Sequence, residues 1–186
     1  MDSAAWGKCE DARLMLDWWV NRQASAERPI YPSRDKRKLR LFAAACCRQA
    51  WHLLADGRSR AAVEVAERYA DGEATERERF RAWDEAIFAV EGVVFAAARC
   101  ADDDEHIHLT PTIVVQALVK AGVQPVALAG ILRDIFGDPH RPVAAGPACP
   151  AWRTPAVSDL AAAAYEHRSA DGTLDNFRLA LVADAL

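Results

Sequence analysis

Apolar positions recur at three- and four-residue spacing along most of this chain, and strict alternation is almost absent. That periodicity predicts an all-α fold. The densest stretch is Leu41 to Cys47, Leu-Phe-Ala-Ala-Ala-Cys-Cys, seven residues without a polar side chain. A helix that is apolar on every side is buried on every side. The pattern therefore places a helix of about 35–55 at the centre of the molecule. On it Leu39, Phe42, Cys46, Ala50 and Leu53 share one sector at roughly 100° per residue.

The other elements follow from caps and stops. Asp11 caps a helix running through Arg22, and Pro29 and Pro32 mark a loop. Asp56-Gly57 ends the central helix, Ser59 opens the next, and Gly72 closes it. Thr75 and Glu78 have capping-box spacing and open the longest predicted helix, continuous to about Cys100 and roughly 39 Å long at ~1.5 Å per residue. Its seam is Phe80, Trp83, Ile87, Val90 and Val94. Thr110-Pro111 opens a helix that Gly122 ends, and Pro125 opens another that Gly137 ends. Thr154-Pro155 opens a helix through His167, and a last one begins near Asp175-Asn176. The expected fold is about seven or eight helices in a bundle or orthogonal arrangement. Residues 1–137 would form a helical core domain. Four prolines make 138–152 an ordered loop, and 153–186 a C-terminal helical pair packed on the core. The last helix would end on Ala-Asp-Ala-Leu with uncapped carbonyls, so it either frays or belongs to a longer chain.

Composition narrows the class. Of 186 residues, 52% are apolar and 27% charged, and the formal net charge of −4 points to no polyanionic partner. No apolar run reaches the ~20 residues of a membrane span, and Met1-Asp2-Ser3 does not open a signal peptide. Five cysteines, an odd number with Cys46 beside Cys47, suit a reduced, cytoplasmic protein.

Several segments resemble a large paralogous family of uncharacterised bacterial proteins, best populated in planctomycetes. They are Trp6 with Cys9, Arg37-Lys38-Leu39-Arg40-Leu41-Phe42-Ala43, Ala45-Cys46-Cys47-Arg48, Trp51-His52-Leu53-Leu54, residues 62–72 (Ala-Val-Glu-Val-Ala-Glu-Arg-Tyr-Ala-Asp-Gly), Leu132 to Gly137 with Arg141-Pro142-Val143, and Leu181 to Leu186. The resemblance covers most of the chain and implies no known activity. The Ser25–Arg34 loop is longer than the family pattern. Relatives continue past Ala-Asp-Ala-Leu into a tail with further Cys and His residues, so a metal site shared with that tail would be incomplete here.

Few residues could carry chemistry. Cys9, Cys46, Cys47, Cys100 and His52 could hold zinc if the fold gathered them. His52, however, falls on a different face from Cys46, no Cys-x-x-Cys occurs, and buried core thiols are the plainer reading. Asp84 and Glu91 would share the apolar face of the long helix, either as an acid pair or, more simply, paired with Arg37, Arg40 or Arg48. Asp102 to His108 reads as a solvated acidic loop, with a cation loop as the alternative. Arg34, Lys36, Arg37, Lys38 and Arg40 crowd a helix N-terminus, where cations oppose the macrodipole. Internal carboxylates, an acidic partner or phosphates would compensate them. Arg141 and Trp152 are further partner-binding candidates. No nucleophile motif, glycine-rich phosphate loop or His-Glu-x-x-His occurs, so the catalytic set is empty and no cofactor is expected. The resulting expectation is a non-enzymatic module binding another protein, with Trp6, Trp18, Trp19 and Trp152 as aromatic contacts. The alternatives are a Cys-based zinc or redox sensor and a nucleic-acid binder using the basic cluster.

Overall fold

The structure is a computed structural model that describes residues 1–23, 33–87, 93–141 and 154–167, together with Arg178 and Leu181. The described residues are all-α, with no strand among them. The helices are α1 (Ser3–Lys8), α2 (Ala12–Gln23), α3 (Ser33–Gln49), α4 (Gly57–Ala70), α5 (Glu76–Ile87), α6 (Val93–Cys100), α7 (Thr110–Lys120), α8 (Pro125–Phe136) and α9 (Pro155–Glu166). A 3-10 turn, Trp51–Leu53, follows α3. The chain divides into two compact units, Met1–Pro142 and Val143–Leu186. The boundary lies inside the proline-rich segment. Among the described residues no helix is long and apolar enough to cross a membrane.

α3 is the central helix of the first unit and packs against α4, α6, α7 and α8. Phe42, Ala43, Ala44, Cys46 and Cys47 are fully buried. Leu41 and Ala45 are half-buried, so the apolar run is covered on all but one narrow stripe.

Local signals placed most helix ends. Asp11 accepts from the amides of Arg13 (2.8 Å) and Leu14 (3.3 Å), as the N-cap of α2. The Thr75–Glu78 box closes both ways: the Glu78 amide donates to Thr75 Oγ1 at 3.3 Å, and the Thr75 amide to Glu78 Oε2 at 2.8 Å. Replacing Thr75 with alanine should cost about 1 kcal/mol, read as a melting point lower by roughly 2–4 °C. Serine at this position should restore it, and an unchanged melting point in the alanine variant would contradict the box. Gly137 ends α8 with φ +69° and ψ −161°, a conformation a side chain would strain. Its carbonyl accepts the Trp6 indole N–H at 2.9 Å, fastening α1 to the end of α8.

Four expectations give way. The central helix ends at Gln49, before Asp56-Gly57, and the chain passes into the Trp51–Leu53 turn, which takes Leu53 out of the buried sector and leaves it 41% exposed. Ser59 does not cap α4; Asp56 does, accepting from the Arg58 amide, because its carboxylate sits at the true first turn. Thr110 is buried and donates to the Arg99 carbonyl (3.4 Å), while Leu109 occupies the cap position of α7. The single long helix from Thr75 to Cys100 is instead α5 and α6, which pack against each other. Their contact is made by Ala82 and Ala86 with Ala98 and Ala101, and Ala62 of α4 joins them. Small side chains let the helices approach closely, and Trp83 and Ile87 pack against the edge of this alanine face. Phe80 is left 55% exposed. Val90, Trp152, Cys149 and most of the predicted last helix lie outside the described residues.

Candidate functional site

The charged centre of the first unit is built at the C-terminal end of α6. A helix ends with carbonyls that lack intrahelical donors and with the negative end of its dipole. Two buried guanidiniums meet that end. Arg40, on α3 and 1% exposed, donates through Nη1 to the Cys100 carbonyl (2.7 Å) and the Asp102 carbonyl (2.8 Å). Arg79, on α5, donates to the Ala101 carbonyl and to Glu76. Tyr69 of α4 presents its ring to both, with guanidinium carbons 5.0 and 5.6 Å from the centroid, and its hydroxyl donates to Glu76 Oε2 at 2.8 Å. The loop after α6 returns Asp104 to Arg40 Nη2 (2.9 Å) and to Lys36 Nζ (3.8 Å).

The electrostatics follow from burial and pairing. Burial lowers the Arg40 pKa, partly offset by Asp104. Burial also works against the Arg79 cation, but its hydrogen bonds and charge pairing with Glu76 outweigh that and raise its pKa. The Arg79 hydrogen bond holds the Glu76 carboxyl below its ordinary range. Burial and then the Glu76 hydrogen bond push Tyr69 up. The cluster holds cations against carbonyls and carboxylates. It can order the 102–108 loop against the scaffold.

Within the basic cluster Arg40 alone is buried among the described side chains, and internal carboxylates compensate Lys36, Arg37 and Arg40. Arg37 donates to the Ala70 carbonyl (3.1 Å) and pairs with Asp71. Lys38 lies 5.7 Å from the Phe136 ring centroid. Arg40 is buried and presents nothing to a partner. The side chain of Arg34, like Trp152, lies outside the described residues, and Arg141 is exposed in a bend after α8. Arg48 makes a two-pronged pair with Glu67 (3.0 and 2.6 Å) and stacks on Trp51 at 4.0 Å. Among the described residues these arginines pair with Asp71, Asp104 and Glu67. Asp84 is exposed, because α5 buries its alanine face on the other side. Glu91 lies outside the described residues.

The zinc candidates do not converge on one point. Cys47 and Cys100 meet, with sulfurs 3.5 Å apart. Cys46 is buried beside them, and burial followed by the neighbouring Cys100 pushes its thiol well up. Cys9 donates to the Asp11 carbonyl at 3.5 Å, and His52 is exposed on the 3-10 turn. Among the described residues, the metal-ligating side chains that come within reach of one another are Asp102, Asp103 and His106. Their donors are already engaged: Asp102 pairs with Arg99 at 2.6 Å. Asp103 Oδ1 accepts from the Glu105 amide (2.9 Å) and from the His106 amide and ring (2.8 Å each). Burial raises the Asp103 pKa, but the hydrogen bonds from His106 and Glu105 outweigh it and hold the carboxyl low.

The aromatic residues expected at an interface sit mostly in the core. Trp6 and Trp19 are buried; Trp18 is half-buried and stacks against Trp6 at 5.6 Å. Among the described side chains the exposed aromatic is Phe80, 5.9 Å from Trp83 and inclined to it by 32°. No family model, curated protein or solved structure matches this chain.

Proposed function

We propose that this chain is a non-enzymatic helical module that binds another protein through the side of α5 carrying Phe80 and Trp83. The proposal includes membership of the planctomycete family whose segments it resembles. The observation that carries it is the exposed Phe80 ring stacked beside Trp83. An apolar centre with a polar rim is how protein interfaces are built, and aromatics are enriched there. Arg77, Arg81, Asp84 and Glu85 supply such a rim, all exposed on the same helix. A reducing compartment, the cytosol, suits the free thiols of Cys9, Cys46, Cys47 and Cys100.

The nucleic-acid alternative has less support, since Arg40 is buried and Lys36 and Arg37 each face a carboxylate of the chain. The zinc alternative would require ligands beyond Cys47 and Cys100, and elemental analysis of the purified protein tests it.

A photo-crosslinker at position 81 should capture one protein reproducibly in the native host. Phe80→Asp should abolish that capture. The same variant should shift stability by only about 0.5 kcal/mol, as expected for an exposed position. Equal capture by wild type and Phe80→Asp would overturn this reading.

A further inference from the structure

Cys47 and Cys100 are 53 residues apart in sequence, yet their sulfurs stand 3.5 Å apart with neither residue exposed. One comes from α3 and the other from the last position of α6, and these helices pack against each other. Around them the core is built of small side chains: Ala43, Ala44 and Ala50 on the α3 side, Ala96 and Ala97 on α6. Small residues bring helix axes close. A disulfide needs that proximity, because its S–S bond is about 2.05 Å and its α-carbons stand roughly 4.4–6.8 Å apart.

We propose that Cys47 and Cys100 form a dithiol–disulfide pair that staples α3 to α6 when a disulfide donor accumulates. In the first step one cysteine loses its proton, and its thiolate attacks the donor disulfide. That forms a mixed disulfide and expels one donor thiolate. The second cysteine, deprotonated in turn, attacks the protein sulfur of the mixed disulfide. The Cys47–Cys100 bond forms and the second donor thiolate leaves. The protein pair gives up two electrons and two protons, and the donor is reduced to two thiols. In a reducing cytosol the pair rests as thiols.

Burial makes this a slow latch. Burial, and then the hydrogen bond with Cys47, pushes the Cys100 thiol well up, so few thiolates are present, and the donor must reach the core. Exchange therefore runs through local opening of α6 from α3. Once closed, the bridge is shielded from reductants in the same way. Its position also matters: the Cys100 carbonyl accepts from Arg40, which anchors the 102–108 loop. Drawing the sulfurs together pulls on the end of α6 where that loop begins.

The test uses the full chain with oxidised glutathione, in buffer and in urea below the unfolding transition. Remaining thiols are alkylated and the peptides mapped by fragmentation. The expected result is loss of two of the five thiols to one intramolecular Cys47–Cys100 bridge, several-fold faster in mild urea, with a higher melting point. Cys46→Ala should leave the bridge intact. Retention of all five thiols through mild urea would overturn the proposal, as would a bridge through Cys9, Cys46 or Cys149.

Discussion

Arg40→Ala should lower the unfolding free energy by about 3–5 kcal/mol, since two buried carbonyls each lose a charged donor worth roughly 1–3 kcal/mol. It leaves the Cys100 and Asp102 carbonyls without the donors they have at 2.7 and 2.8 Å, and it leaves Asp104 with Lys36 alone. Buried acceptors left without donors carry their full desolvation cost. Arg40→Lys should recover little, because one ammonium does not reproduce a planar fork that reaches two carbonyls and a carboxylate together. Arg37→Ala is the control. Arg37 is exposed and its pair with Asp71 is a surface pair, worth about 0–1 kcal/mol. Urea denaturation of the three variants tests the prediction, and a loss below ~1 kcal/mol for Arg40→Ala would refute the buried-anchor role. Small domains have only about 5–15 kcal/mol to lose, so this variant should be close to unfolded at body temperature.

Phe42→Ala should be as damaging, at about 3–5 kcal/mol. Phe42 is fully buried on α3. Its ring meets Phe136 of α8 edge-on at a centroid distance of 6.3 Å, and Phe136 in turn meets Trp19 of α2 at 4.8 Å. Truncation leaves a cavity where three helices join, bounded by rings that cannot collapse into it. Phe42→Leu, nearer in volume, should cost less than half as much. Leu41→Ala, one position away on the half-buried stripe, should also cost well under Phe42→Ala. If Leu41→Ala and Phe42→Ala proved equal, the orientation of α3 would be wrong.

The fold was legible where the determining interactions are local. An N-cap acts over three residues, so Asp11, Thr75 with Glu78 and Thr154 could be read directly. Gly72, Gly122 and Gly137 marked helix ends through positive φ. The candidate site was legible only in fragments. Arg40 stood out in a basic run, but nothing in the sequence pointed to Arg79 or Tyr69 as its neighbours. Phe80 matched the seam spacing and was read as core. The spacing gave no warning that the alanines beside it would win that place.

By itself the sequence determined the all-α class, most helix boundaries and the centrality of α3. Each is encoded by periodicity or capping within a few residues. Only the tertiary structure decided which face of α5 is buried, that α5 and α6 pack against each other, which carboxylates answer Arg37, Arg40 and Arg48, and that Cys47 meets Cys100. Those ion pairs and the thiol contact join residues about 20 to 64 positions apart. They depend on how helices dock, and docking is set by the summed fit of small and large side chains across whole faces, which no local pattern records.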